Sequence, residues 1–145
     1  MITTKFPTLD LPYSLHDMQI CCFEAREKDL IMHINGMVKL SSPCKQVEGQ
    51  IIFHQIDWDF CCAYILDFCG NEGTFTGEKM SLQTFMERHP SFHLSLIDET
   101  YGYHQARYYG WLSEGEKLKE CSLEISYTEA EYREFSPLDK PISSM

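Results

Sequence analysis

Apolar and polar residues alternate over most of this chain with a period of two, which is typical of β-strands buried on one face. Residues 19–25 and 30–40 flank a short charged stretch and predict an opening hairpin, with Gly36 at a bulge in its second strand. Residues 60–68 form the most apolar run, which predicts a strand in the centre of a sheet. The clearest alternation covers residues 121–127, whose odd-numbered positions are expected to face the core.

Only one segment has a convincing helical pattern. The hydroxyl of Ser81 is placed to accept a hydrogen bond from the backbone N–H of Thr84, and Pro90 stops the helix. These signals predict a helix near residues 81–89. A further helical turn is predicted over residues 128–135, with Thr128 as its cap.

Strands without strand–helix alternation define the expected fold class. About seven strands and one inserted helix predict a mainly β (α+β) fold. Its antiparallel, curved sheet is expected to form an open sandwich or a barrel. The length of 145 residues predicts a single domain over residues 1–145. Prolines mark residues 1–12 as an irregular segment and residues 136–145 as a loose tail.

The charge balance narrows the classes of partner. The formal net charge is −10, from 22 acidic and 12 basic residues. Nucleic acids and anionic membranes require a basic footprint, so we expect neither as a partner. Acidic residues crowd the final third, where they either keep the domain soluble or attract a basic protein. No stretch has the length of a signal peptide or a membrane span, which predicts a cytoplasmic location; the oligomeric state is left open.

The seven cysteines argue for a reducing compartment. Their number is odd, and two pairs are adjacent in sequence, Cys21-Cys22 and Cys61-Cys62. Neighbours in a strand point to opposite faces, so a disulfide between them would disrupt the pleat. No pair has zinc-ribbon or thioredoxin spacing. We therefore expect reduced thiols, no metal site and no cofactor.

An aromatic segment over residues 101–111 provides the main candidate binding site. Aromatic rings beside arginine and histidine are typical of interaction hot spots and of platforms on which sugars stack. The alternative is that these rings fill the core, which is their commoner use. The candidate binding residues are Tyr101, Tyr103, His104, Arg107, Tyr109 and Trp111.

Two acidic motifs are weaker candidates. The pair His16 and Asp17 has the residue types of a metal ligand set or of a base with its orienting carboxylate, but it also suits a turn before a strand. Asp57 and Asp59 flank Trp58 and have carboxylates suited to a cation, although two are too few ligands for a site. We assign no catalytic and no metal-binding residue.

The opening hairpin carries a resemblance to known proteins. Residues 15–20, Leu-His-Asp-Met-Gln-Ile, and residues 30–34, Leu-Ile-Met-His-Ile, resemble the start of small uncharacterised bacterial β-domains. Some of these resemble immunity proteins that neutralise toxins. The resemblance is confined to this hairpin. It implies a bacterial cytosolic protein with a protein partner, and no catalytic residue.

Three functions follow as hypotheses. The leading one is a non-enzymatic protein-interaction domain, with an immunity-type inhibitor of a basic partner as its more specific form. The second is a small-ligand or carbohydrate-binding module that uses residues 101–111. The third is an enzyme centred on His16 and Asp17.

Overall fold

A computed structural model describes residues 2–6, 13–40, 43–67 and 76–135. These residues form twelve strands, one α-helix (α1, Leu82–Arg88) and one 3₁₀ helix (Trp58–Phe60). The strands are β1 (Ile2–Phe6), β2 (Tyr13–Ser14), β3 (Gln19–Arg26), β4 (Asp29–Ile34), β5 (Met37–Lys39), β6 (Lys45–His54), β7 (Cys62–Asp67), β8 (Thr76–Ser81), β9 (Leu94–Gly102), β10 (Gln105–Glu114), β11 (Lys117–Ser126) and β12 (Glu129–Phe135). The predicted mainly β class with one inserted helix is confirmed.

All strand pairs are antiparallel, and ten strands form one continuous path. Their order is β1-β12-β6-β4-β3-β9-β10-β11-β7-β8, with β2 paired to β5 and β5 paired to β6. Because β1 and β8 are separate ends of this path, the described sheet is open rather than closed into a barrel.

The sheet curls until its two halves face each other. In a flat sheet, strands four positions apart, such as β6 and β10, would lie about 19 Å from one another. Yet the rings of Phe53 in β6 and Tyr108 in β10 have centroids only 6.4 Å apart. The halves are joined edge to edge by a short pairing of β3 with β9, at Gln19–Ser95 and Ile20–Leu94. The curled sheet therefore surrounds one hydrophobic cluster, as in an open sandwich.

The predicted number of strands was too low, because short strands lie in segments that have little apolar content. β1 occupies part of the predicted irregular segment 1–12, and β8 occupies a polar stretch that suited either a loop or a short ribbon. Backbone pairing with β12 and with β7 holds these two strands at the edges. The predicted tail 136–145 lies outside the described residues.

The predicted helical turn at residues 128–135 is wrong, because this segment is strand β12. Ala130 and Tyr132 alternate inward, while the neighbouring β6 supplies a complete ladder along the strand. Pairing between distant segments overrides the local capping signal of Thr128 and Glu131.

The apolar run 60–68 was predicted to be central, but β7 is the second strand from the end of the sheet. Ala63 and Ile65 enter the core, while Tyr64 and Leu66 line an outer groove described below. Both faces of β7 are thus partly covered, which explains why this strand is apolar although it lies near the end of the sheet. The predicted second strand 30–40 is divided at Asn35-Gly36, where the chain changes from β4 to β5.

Helix α1 has the predicted cap and closes one end of the core. The Ser81 hydroxyl accepts a hydrogen bond from the Thr84 backbone N–H at 3.1 Å. Leu82 and Phe85 are buried, and the Phe85 ring meets Phe92 edge-on at 5.0 Å. The expected inward positions of β11 are also confirmed, since Cys121, Leu123, Ile125 and Tyr127 are all buried.

A close backbone approach between β9 and β10 shapes the sheet at Gly110. The register slips here, so that Tyr109 faces Asp98 while Gly110 faces Leu96, and Ile97 is left as a bulge. A Cβ atom on Gly110 would lie 1.9 Å from the Ser95 carbonyl oxygen. Bulges sharpen the local twist of a sheet, and only a residue without a side chain fits at this one.

We predict that Gly110→Ala destabilises the fold by at least about 1–3 kcal/mol, because the new methyl group must displace backbone atoms. Urea unfolding followed by far-UV circular dichroism measures the change. Gly102→Ala is the matched control, since a Cβ there has no neighbour within 4 Å. Equal stability of the two variants would contradict this account of the bulge.

Candidate functional site

The structure divides the six predicted binding residues among three environments. Tyr101 points into the fold, Tyr103 and His104 form a hairpin tip, and Arg107, Tyr109 and Trp111 lie on the outer face of β10. Alternation along β10 explains the last group, because Ala106 and Tyr108 occupy the inward positions between them. The six residues therefore do not form one site.

Tyr101 belongs to a group of buried tyrosines rather than to a surface. Its ring meets Tyr108 edge-on at 6.0 Å, and burial raises the pKa of both phenols. Their hydroxyls lie close enough to interact but do not align in a full hydrogen bond. On the opposite half of the sheet, Tyr13 stacks on Tyr132 at 5.2 Å and donates a hydrogen bond to Glu134.

The hairpin tip that follows β9 is exposed at Tyr103. This side chain is 75% exposed, and its ring lies 3.8 Å from the His104 imidazole. His104 adopts a left-handed backbone conformation with φ of 58°, and its Nδ1 lies 2.8 Å from the Thr128 carbonyl oxygen. Histidine at this position is a turn residue tied to the start of β12.

The outer face of β10, β11 and β7 contains a groove of about 300 Å³. The register places Tyr109, Ser122 and Tyr64 side by side across the three strands. Ser122 is only 7% exposed although it faces outward. A small residue between two rings creates the depression, which we call the outer groove and define by Tyr64, Arg107, Tyr109, Glu120, Ser122 and Glu124.

Polar side chains on the groove floor and at its margin are held by one another. The Arg107 Nε donates a hydrogen bond to the Ser122 hydroxyl at 2.9 Å. The Cys62 thiol donates to a Glu124 carboxylate oxygen at 3.2 Å. The Lys79 ammonium lies 5.4 Å from the centre of the Tyr64 ring, within cation–π range. These contacts fix the orientation of the side chains before any ligand arrives.

The thiols around the sheet are poorly suited to nucleophilic chemistry. Burial raises the pKa of Cys62, and the neighbouring Glu124 carboxylate raises it further. Burial raises the pKa of Cys121 to about 12. Both thiols are therefore protonated near neutral pH, and a neutral thiol is a weak nucleophile.

A second, larger surface surrounds Trp58. Two open concavities of about 460 and 730 Å³ share Trp58 and Glu27. Glu87 of α1 lines the larger one, Asp57 and Asp59 flank Trp58 on the 3₁₀ turn, and the adjacent Phe60 is 69% exposed. We call this region the Trp58 surface and define it by Glu27, Asp57, Trp58, Asp59, Phe60 and Glu87.

The backbone beneath the Trp58 surface is constrained. Glu27 and Gln55 both have left-handed conformations, with φ of 57° and 52°, which are costly for residues with long side chains. Hydrogen bonds hold them in place: the Ile56 N–H donates to the Lys28 carbonyl at 2.8 Å, and the Asp57 N–H to the Ser126 carbonyl at 3.0 Å. The surrounding sheet thus imposes the shape of this surface.

The charge of the Trp58 surface is predominantly negative. Its four carboxylates make no ion pair with any described residue, and Lys28 is the one cation among the described residues that line the two concavities. The nearby Arg26 and Arg88 are already paired, with Glu24 at 2.6 Å and Glu78 at 2.5 Å. The sequence suggested only a cation site or a turn here, because the approach of α1 to Trp58 is not encoded locally.

His16 and Asp17 form a turn at the start of β3 rather than a cleft. Their side chains are 3.1 Å apart and 61% and 80% exposed. Asp17 has φ of 65°, and its N–H donates to the Leu96 carbonyl at 3.1 Å. No group of three or more potential metal ligands occurs in the parts of the chain that the structure describes.

A charged chain that the sequence did not reveal ties β4, β6 and β12 together. The two ring nitrogens of His54 contact Asp29 at 3.2 Å and Glu131 at 2.7 Å, and Glu131 also accepts a hydrogen bond from Arg133. The carboxylates lie on opposite sides of the ring, so they cannot share one metal ion. Burial raises the pKa of Glu131, but the hydrogen bonds from Arg133 and His54 outweigh it and leave a net lowering.

Glu99 anchors the segment before β3 from inside the sheet. Its carboxylate accepts a hydrogen bond from the Leu15 N–H at 2.6 Å. Burial raises the pKa of Glu99, and the hydrogen bonds from Leu15 and Ser14 offset this only in part. Folding therefore shifts the ionisation of Glu99 to higher pH than in the unfolded chain.

The described residues add two general findings. Cys21, Cys22, Cys44, Cys61, Cys62 and Cys121 are all free thiols, and Cys69 lies outside the described residues. No described α-helix combines the length and the apolar composition that crossing a bilayer requires.

Comparisons with known proteins leave the resemblance of the opening hairpin untested. The chain matches no protein-family model, no curated protein and no solved structure. The geometry of the two surfaces therefore carries the functional argument.

We predict opposite pH dependences for two glutamate variants. Because the pKa of Glu99 is raised by folding, ionisation of Glu99 lowers stability as the pH rises above about 4.3, its unfolded value. Wild type should thus lose stability relative to Glu99→Gln as the pH rises above this value.

Because the pKa of Glu131 is lowered by folding, the opposite holds for the second variant. Wild type should lose stability relative to Glu131→Gln as the pH falls below about 4.3.

Urea unfolding between pH 3 and 8 measures both differences, and each variant serves as the control for the other. Differences that change in the same direction with pH would contradict the assignment of the two environments.

Proposed function

We propose that this chain is a non-enzymatic interaction domain that binds a basic protein partner through the Trp58 surface. The observation that carries the proposal is the combination of Trp58 and the exposed Phe60 with four carboxylates that form no ion pair with any described residue. An immunity-type inhibitor of a basic toxin in a bacterial cytoplasm is the specific role that fits this chemistry.

The composition of the surface suits an interface. Tryptophan is among the residues most enriched in binding hot spots, where a central aromatic anchor is ringed by polar groups. Glu27 and Glu87 line the concavity beside Trp58, while the hydroxyls of Ser81 and Thr84 supply polar groups at its margin. Unpaired carboxylates around the ring attract lysine and arginine and raise the rate of encounter with a basic protein.

The candidate catalytic groups support a binding role rather than catalysis. His16 and Asp17 are exposed on a turn and line neither the outer groove nor the concavities beside Trp58. The raised pKa of Cys62 and Cys121 keeps both thiols protonated. The constrained backbone at Glu27 and Gln55 lies under the Trp58 surface instead, where it gives a binding surface a fixed shape.

We predict that a basic partner binds in a salt-dependent manner and that the Trp58 surface determines its affinity. The probes are the basic proteins encoded beside this chain, co-expressed with it and examined by size-exclusion chromatography and calorimetry. Trp58→Ala should weaken the complex by about 30-fold or more, as truncation of a hot spot does. The double charge reversal of Glu27 and Glu87 to lysine should slow association and remove most of its salt dependence.

Matched controls separate binding from folding. Leu118→Ala and Tyr103→Ala remove exposed apolar side chains elsewhere and should leave affinity unchanged. Thermal melting confirms that each variant is folded; Phe60→Ala replaces Trp58→Ala if the latter is unstable, since Phe60 is more exposed. The proposal fails if no basic neighbour binds, or if a complex forms that tolerates all the Trp58-surface variants.

A further inference from the structure

The outer groove differs from the Trp58 surface in charge. The groove lining has one positive charge, on Arg107, and two negative ones, on Glu120 and Glu124. Lys79, which lies beside the Tyr64 ring and outside the lining, brings a second positive charge to the margin. A charged ligand would lose its hydration here without a net opposite charge to compensate for it. The balance favours a ligand that carries no net charge.

The walls of the groove are aromatic. Tyr64 and Tyr109 stand on either side of Ser122, each one strand away from it. Two strand spacings place the backbone positions of these tyrosines roughly 9–10 Å apart. A ring in van der Waals contact with both walls needs about 3.5–4 Å on each side, so one saturated six-membered ring fits between them.

The floor and margin supply both donors and acceptors. Arg107 has N–H groups beyond the one given to Ser122, and Glu120 makes no hydrogen bond or ion pair with any described residue. A purely apolar ring would cover these groups and leave them without partners, which is unfavourable. A hydroxyl both donates and accepts, so a ring that bears several hydroxyls satisfies them.

We propose that the outer groove is a binding site for a neutral sugar. One pyranose ring lies between Tyr64 and Tyr109, with its apolar C–H face against a tyrosine ring. Its hydroxyls donate to the Glu120 carboxylate and accept from Arg107. The inference goes beyond the proposed function, because it uses a different surface and a different class of ligand. The Arg107–Ser122 and Cys62–Glu124 hydrogen bonds orient Arg107 and Glu124 in advance, which limits the entropy lost on binding.

The test uses immobilised neutral oligosaccharides that contain glucose, galactose or N-acetylglucosamine, with sialylated and sulfated counterparts as charged comparators. Ligand-observed NMR then measures affinity for the free sugars. At least one neutral sugar should bind more tightly than its charged counterpart. Tyr109→Ala should reduce that affinity at least tenfold, while Tyr109→Phe, which keeps the ring, should reduce it less.

Two further variants keep the test decisive. Ser122→Leu fills the space between the rings and should abolish binding, so it substitutes for Tyr109→Ala if that variant does not fold. Tyr103→Ala at the exposed tip is the control and should bind as wild type does. The proposal is overturned if no neutral sugar binds at millimolar concentration, if only charged sugars bind, or if Tyr109→Ala binds unchanged. Trp58→Ala should leave sugar binding intact, which separates this outcome from a failure of the proposed protein interaction.

Discussion

The backbone contact between Gly110 and Ser95 is the constraint on which the curl of the sheet and the outer groove depend. It allows β9 and β10 to approach across a bulge, and the resulting twist helps the ten-stranded path to curl. The same contact fixes the phase of β10, so that Tyr108 faces the core while Arg107, Tyr109 and Trp111 face outward. A change of one residue in this register would bury the polar groups of the outer groove and expose the aromatic core.

The molecule uses its aromatic residues in two physically different ways. Tyr101, Tyr108 and Tyr132 fill the space between the halves of the curled sheet, where burial raises the pKa of each phenol. Tyr64 and Tyr109 instead stand on the outer face, in a groove lined by charges of both signs. Trp58 stands beside Glu27 and Glu87, which make no ion pair with any described residue. The surroundings of each ring, more than its identity, decide whether it fills the core or remains available at the surface.

The sequence predicts those elements whose signals are local. The Ser81 cap, the inward positions of β11 and the hairpin of β3 and β4 follow from alternation and hydrogen-bonding capacity, and the structure has all three. Strand β12 and the edge strands β1 and β8 could not be predicted in this way, because distant partners stabilise them. The two surfaces depend even more on contacts between segments that are distant in sequence. Tyr64 and Tyr109 are far apart in sequence and meet only through β11, and the proximity of Glu87 to Trp58 requires α1 to dock.

The pairing of β1 with β12 has a consequence for how the chain acquires its structure. Ile2 lies opposite Glu134, so β1 finds its described partner only after all the strands between the two have been synthesised. Contacts between such distant segments make folding slow, because the loop between them must close before the pairing is rewarded. Until β12 has been synthesised, one edge of β6 also lacks its partner strand. The emerging chain therefore presents an unpaired strand edge to its surroundings, and the period before β12 arrives is when it is most exposed to association with other chains.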